Sequence, residues 1–134
     1  MKINAEQRTE LIERGQRARE NAYAPYSHYP VGAALLTRSG EIYQGANIEN
    51  AAYPLSICAE RVAIFKAVAN GDREPVAISV ITENGGSPCG ACRQVMAEFG
   101  LETWVILADK DGNVVHEMTV EELLPAAFRP SDLA

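Results

Sequence analysis

Ser87-Pro88-Cys89-Gly90-Ala91-Cys92 is the stretch from which the rest of the chain is read. Proline favours the first position of a helix and serine the capping position before it, so both thiols are expected in a helix's first turn. Residues three apart share a helix face, with Cβ atoms about 5–6 Å apart. Two thiolates at that spacing, beside the free N–H groups and positive dipole end of a helix, suit a divalent cation that prefers sulfur, above all Zn²⁺. The chain has one other cysteine, Cys58, and Glu60 follows it by two residues.

Working outward, 134 residues with 47% hydrophobic content fit one compact domain spanning residues 1–134. Twelve basic against 18 acidic side chains leave a net charge of -6. That balance argues against a nucleic-acid partner, whose affinity comes largely from neutralised phosphates, and favours a small-molecule substrate. The opening Met1-Lys2-Ile3-Asn4 leads into polar residues with no apolar targeting core, and no run of 18 apolar residues follows. A cytoplasmic protein with no membrane partner is expected, in a compartment reducing enough to keep three cysteines as thiols.

Asn4 with Gln7 forms a capping box for an amphipathic helix from Ala5 to about Ala22, its apolar face carrying Leu11, Ile12 and Ala18. The segment Tyr23 to Pro30 has too many prolines for a helix and too many aromatics for an idle linker, and is read as a pocket wall. Val31–Arg38 and Glu41–Ala46 make a hairpin through Ser39-Gly40, the first strand apolar enough to be covered on both faces. Asn47 and Glu49 then leave the second strand with side chains to one side, an amide and a carboxylate suited to sugar hydroxyls. A nearly all-apolar helix follows, carrying Cys58, Glu60 and Arg61, expected to be buried on most sides and closed by Asn70-Gly71-Asp72.

A strand over Val76–Thr82 leads through Glu83-Asn84-Gly85-Gly86 into the Cys89 helix, which runs to Gly100 with Val95, Met96 and Phe99 inward. Trp104–Ala108 and Asn113–Glu117 are strands joined by a turn containing Asp111-Gly112. Thr119 and Glu122 cap a short helix ending at Pro125, before a tail whose one aromatic is Phe128. This order implies an α/β fold with helices layered on a mixed sheet.

Three cysteines leave a tetrahedral zinc one ligand short, as a catalytic site requires, whereas structural sites are closed by four protein ligands. Neither His28 nor His116 lies at a short ligand spacing from a cysteine, and both read as ordinary loop and strand residues. Two residues apart on a regular helix is roughly 200° of rotation, so Cys58 and Glu60 cannot both face a metal from within one. The conflict disappears if Cys58 precedes regular helix geometry, which places the ion between the N-termini of two helices. Three thiolates and Zn²⁺ sum to one negative charge, and Arg61 with the two helix dipoles are the groups able to draw it off the sulfurs. Glu60, placed beside a metal site, is the expected acid–base residue.

Cys58-Ala-Glu60-Arg61, Pro88-Cys89-Gly90-Ala91-Cys92-Arg93-Gln94, Asn47-Ile-Glu49-Asn50 and Tyr26-Ser-His-Tyr29-Pro-Val-Gly-Ala-Ala together resemble the small homotetrameric zinc-dependent cytidine deaminases over essentially the whole chain. The resemblance implies a three-layer α/β/α fold around a five-stranded mixed sheet and hydrolysis of cytidine or 2′-deoxycytidine, in pyrimidine salvage, to the uridine nucleoside and ammonia. It implies zinc on Cys58, Cys89 and Cys92, and Glu60 accepting a proton from water, then protonating N3 and the departing amine. Asn47, Glu49, Tyr29 and Ala59 would bind substrate, Tyr29 where many members carry phenylalanine, and Arg61 would compensate thiolate charge. Phe128 would stack on the base in a neighbouring subunit's site, so that the tetramer shares its active sites. The alternatives are a polynucleotide deaminase, a deaminase of a nucleoside antibiotic such as blasticidin S, a zinc-stapled interaction module, and a Cys-x-x-Cys redox protein. The acidic charge opposes the first, the Asn47–Asn50 run favours a free ribose over the second, and Cys58-Ala-Glu60 has no use in the last.

Overall fold

The computed structural model of the protein describes residues 3–133. Met1 and Lys2, part of the stretch read as lacking a targeting signal, and Ala134 at the end of the tail lie outside the described residues. The first helix, α1 (Ala5–Arg19), begins on the expected capping box: Gln7 N donates to Asn4 Oδ1 at 2.7 Å and Asn4 N to Gln7 Oε1 at 3.0 Å. It stops three residues before Ala22. The N–H groups of Glu20, Asn21 and Ala22 reach back only three residues, a tightened last turn that frees Tyr23 N to bond Asn47 O at 2.9 Å.

Strands β1 (Gly32–Thr37) and β2 (Ile42–Ala46) form the expected hairpin, turning at Gly40 with φ +92°. With β3 (Pro75–Ile81), β4 (Trp104–Ala108) and β5 (Val114–Thr119) they make one five-stranded mixed sheet in the order β2-β1-β3-β4-β5. Only β3 and β4 run parallel, joined by the crossover helix α3 (Gly90–Phe99). Alternate residues of the central strands feed two cores. Ala34, Leu36, Ala77 and Ile106 meet Leu11 of α1 on one face, while Ala33, Leu35, Ile78, Val80, Val105 and Leu107 meet α2 (Ala59–Ala69) and α3 on the other. The result is the three-layer α/β/α arrangement expected. A short helix α4 (Val120–Leu123) starts on the Thr119–Glu122 capping box and packs beside α3.

The burial expected for the helix after Cys58 is not found. The helix after Cys58 is covered by the sheet along one side only: Ala59, Ala63, Ile64 and Ala67 are buried, but Phe65 is 44% exposed and Lys66 and Ala69 are exposed. Its apolar composition exceeds what its own chain covers. No helix among the described residues is long and apolar enough to cross a membrane.

The register fixes where chemistry can gather. Gly32 pairs with both Ala46 and Ile81, and Ile81 with Ala108, so the start of β1 and the ends of β2, β3 and β4 share one edge of the layer. The cysteine-bearing N-termini of α2 and α3 open toward that edge, and α2 is seated on β2 through Gly45. A Cβ there would lie 2.5 Å from Ala63 N and closer still to Ala59 O, both backbone atoms that cannot swing aside. Gly45→Ala is therefore expected to lower unfolding stability by at least about 1–3 kcal/mol, the usual cost of overpacking. Chemical denaturation checks this, and an unchanged midpoint would mean α2 does not rest on β2 this closely.

Candidate active site

Cys58 caps α2 with extended backbone (φ -78°, ψ 153°), held there by the two-way backbone bonding of Ile48 with Ile57 at 2.9 and 3.0 Å. It thus precedes helical geometry, and the expected conflict with Glu60 does not arise. Cys89 is likewise the cap of α3 (φ -68°, ψ 168°), and Cys92 is the third helical residue. This shifts the predicted start: Pro88 stands outside the helix and not at its first position, and Ser87 is not the cap. The physical reason is Arg93, whose Nε donates to Pro88 O at 2.8 Å and Nη2 to Ser87 Oγ at 2.6 Å, holding both residues in the irregular lead-in to the helix.

The Cys58 and Cys89 sulfurs are 3.8 Å apart and those of Cys89 and Cys92 3.5 Å, with all three within 4.8 Å of one another. A tetrahedral zinc with Zn–S near 2.3 Å would space its sulfurs about 3.8 Å apart, so the donor set fits the ion as it stands. Among the described residues no histidine or carboxylate joins this cluster. His28 sits in a left-handed turn (φ 54°) and His116 on β5.

The electrostatics are those of a thiolate site. Hydrogen bonding with Cys92, and then with Arg61 and Cys89, holds the Cys58 thiol down at about 5. The same bond with Cys58, together with burial, pushes Cys92 up. A divalent cation held by thiolates would displace the thiol protons. Arg61 Nη2 donates to Cys58 Sγ at 3.3 Å, bringing a positive charge against this sulfur. Glu60 is 4% exposed, and burial raises its carboxyl to about 7. A group poised there both takes and returns protons readily near neutral pH.

A cavity of about 390 Å³ opens onto Cys58, Cys89 and Glu60, and Tyr29, Asn47, Glu49, Ala59 and Arg61 also line it. That volume falls in the range of small-molecule sites. Phe128 is not among its lining residues. It is 56% exposed, and its carbonyl accepts from Gln94 Nε2 at 2.9 Å.

Asn47 and Glu49 do reach the cavity, but both already hold the wall opposite. Asn47 Oδ1 accepts from Val31 N at 2.8 Å, and its Nδ2 donates to Tyr29 O at 3.0 Å. Glu49 Oε1 accepts from Tyr26 N and Ser27 N, both at 3.0 Å, while Oε2 accepts the Ser27 hydroxyl, which keeps this carboxyl below its usual range. The Tyr29 hydroxyl donates to Asn84 Oδ1 at 2.7 Å, fixing the ring against the β3–α3 loop. Asn84, Thr82 and Arg93 have no role in the sequence reading. Only Arg93 carried a signal, its place directly after the second cysteine of the motif.

The comparisons with known proteins agree with this geometry. The family model described as the cytidine and deoxycytidylate deaminase zinc-binding region matches residues 5–108. The chain is 50% identical over 126 residues to the cytidine deaminase of Sporosarcina psychrophila, covering 92% of this chain and 93% of the relative. It is 52% identical over 126 residues to that of Halalkalibacterium halodurans, covering 92% and 95%. Among solved structures, the cytidine deaminase from Burkholderia pseudomallei superposes with a TM-score of 0.86 at 49% identity, covering 90% of this chain and 98% of that one. The cytidine deaminase from Mycobacterium tuberculosis does so with a TM-score of 0.78 at 32% identity, covering 90% and 95%. This chain belongs to the cytidine and deoxycytidylate deaminase zinc-binding family.

Proposed function

We propose that the chain is a zinc-dependent hydrolase that converts cytidine and 2′-deoxycytidine, with one water, into uridine and 2′-deoxyuridine plus ammonia. The observation that carries this is a buried carboxylate, Glu60, facing the same cavity as a three-sulfur cluster. Held by Cys58, Cys89 and Cys92, zinc supplies a Lewis acid that brings the pKa of water toward ~7. Glu60 accepts one proton from the water that attacks C4 of the base and delivers it to N3; it then takes the second proton from the new C4 hydroxyl and passes it to the amine, so that the C4–N4 bond breaks, ammonia leaves and the C4 carbonyl of the uridine product forms. Burial suits it to this traffic, since a carboxyl at about 7 is neither locked as an anion nor as an acid.

Arg61 and the two helix N-termini draw negative charge from the sulfurs and keep the metal electrophilic. The remaining lining residues support a nucleoside over a nucleotide. Among the described residues Arg61 is the one cation on the cavity wall and it is engaged with Cys58, while Glu49 contributes negative charge where a phosphate would need the opposite. Glu49 and the second N–H of Asn47 Nδ2 are the proposed ribose contacts, with Ala59 and Tyr29 against the base and sugar. We place the reaction in pyrimidine salvage, in a reducing cytoplasm where free Cys58, Cys89 and Cys92 remain available to metal.

We further propose a homotetramer in which Phe128 of one subunit completes the cavity of another. Exposed Phe128, outside its own chain's cavity, and exposed Phe65 on a helix covered along one side support this.

Two measurements test the reading. Glu60→Gln should retain zinc and its unfolding midpoint while slowing cytidine turnover at least about 10²–10⁴-fold, the usual worth of acid–base catalysis. Turnover near that of the unmutated protein would refute the role. Light scattering should return four times the 14.5 kDa chain mass, and a monomer with full activity would contradict a shared site.

A further inference from the structure

Cys89 presents a mechanical difficulty. It is a helix cap whose side chain makes no capping bond, and its backbone is extended, so the direction of its sulfur depends on how the residues before it are held. Pro88 immediately before it has no N–H with which to anchor that lead-in. The structure solves this with one residue. Arg93 N donates to Cys89 O at 3.1 Å, closing the first helical bond after Cys89. Its side chain turns back past the same cysteine to Pro88 O at 2.8 Å and Ser87 Oγ at 2.6 Å.

The remaining arm of the guanidinium, Nη1, donates to Leu123 O at 2.8 Å. That carbonyl lies in the last turn of α4, where helical carbonyls have no partner of their own. The next residue, Gln94, holds Phe128 O at 2.9 Å, so two consecutive side chains of α3 lash the C-terminal segment to the helix bearing two sulfurs. Three acceptors from two chain segments need a planar fork of several donors, which arginine has and lysine lacks.

We propose that Arg93 is a positioning residue of the metal centre: by bracketing Cys89 between its backbone and its side chain, and tying that bracket to α4, it aims the Cys89 sulfur at the ion. The proposal rests on the three-cysteine zinc site argued above. Arg93 touches neither sulfur nor the cavity, so its effect is on how tightly and in what geometry the metal is held.

The test uses full-length protein loaded with zinc or, separately, with cobalt. Zinc release to a chelator and the visible ligand-field bands of the cobalt form are recorded, each below the unfolding midpoint. The proteins are the unmutated one, Arg93→Gln, Ser87→Ala and Arg8→Met. Arg8 pairs with Glu117 at 2.6 and 2.9 Å from α1 on the other side of the sheet, so its loss is a destabilisation remote from the metal. Arg93→Gln should release zinc about 10-fold faster or more, in line with the usual cost of losing a supporting group behind a ligand, and should shift the cobalt bands. Ser87→Ala should move both readouts in the same direction by less, and Arg8→Met should move neither. Unchanged release and bands in Arg93→Gln would overturn the proposal, as would an equal effect from Arg8→Met at equal loss of midpoint. Should Arg93→Gln not fold, Ser87→Ala decides alone, and release indistinguishable from the unmutated protein would overturn it. An unmutated protein that binds neither metal would defeat the zinc-site reading and this proposal with it.

Discussion

Three sulfurs from two helices must meet within a few ångströms, and nearly every other feature of the chain serves that meeting. Sulfurs this close would repel as thiolates, and the cost is offset here by three sources of positive charge: the N-terminal ends of α2 and α3, the Arg61 guanidinium, and the cation they together suit. The helices can point at one another because both leave the same edge of the sheet, where the register aligns the start of β1 with the ends of β2, β3 and β4. Close seating of α2 on β2 through Gly45 removes the slack that would let the sulfurs drift apart.

The cavity wall from Tyr26 to Val31 is built by a different device. These residues precede β1 and, beyond the backbone bonds of His28 N to Ala24 O and Asn47 N to Val31 O, are held by the polar side chains of Asn47 and Glu49, which bind the backbone at Tyr26, Ser27, Tyr29 and Val31. The same two side chains face the cavity. Their partners hold them in place, and for the proposed ribose contacts this reduces the ordering cost that a flexible amide or carboxylate would add. Tyr29 is fixed in the same way through its hydroxyl and Asn84.

Much of this was legible in the residues, and the reasons are local. Asn4 with Gln7 and Thr119 with Glu122 are reciprocal caps that need nothing beyond four consecutive residues, and both helices begin where those pairs place them. The extended backbone at Cys58 follows from the sequence too, because a carboxylate and a thiol two apart can share a target only outside regular helix. The start of α3 lies two residues later than the Ser87-Pro88 pair implies because Pro88 obeys a guanidinium from the following turn, a contact that propensity does not encode. The double duty of Asn47 and Glu49 was hidden for the same reason: their partners are 16 to 23 residues away in sequence. Helix α2 is more exposed than its apolar composition implies, since composition gives the apolar content of a helix and not which of its faces the sheet covers.

The proposed catalysis depends on a single ion held by Cys58, Cys89 and Cys92. The most direct measurement titrates a strong thiol-compatible chelator into the protein and follows, on the same samples, bound zinc per chain and the fall in ultraviolet absorbance as cytidine is consumed. The account predicts one zinc per chain, activity that declines in proportion to its removal, and recovery when zinc is returned. Full turnover of cytidine by protein stripped of metal would contradict it.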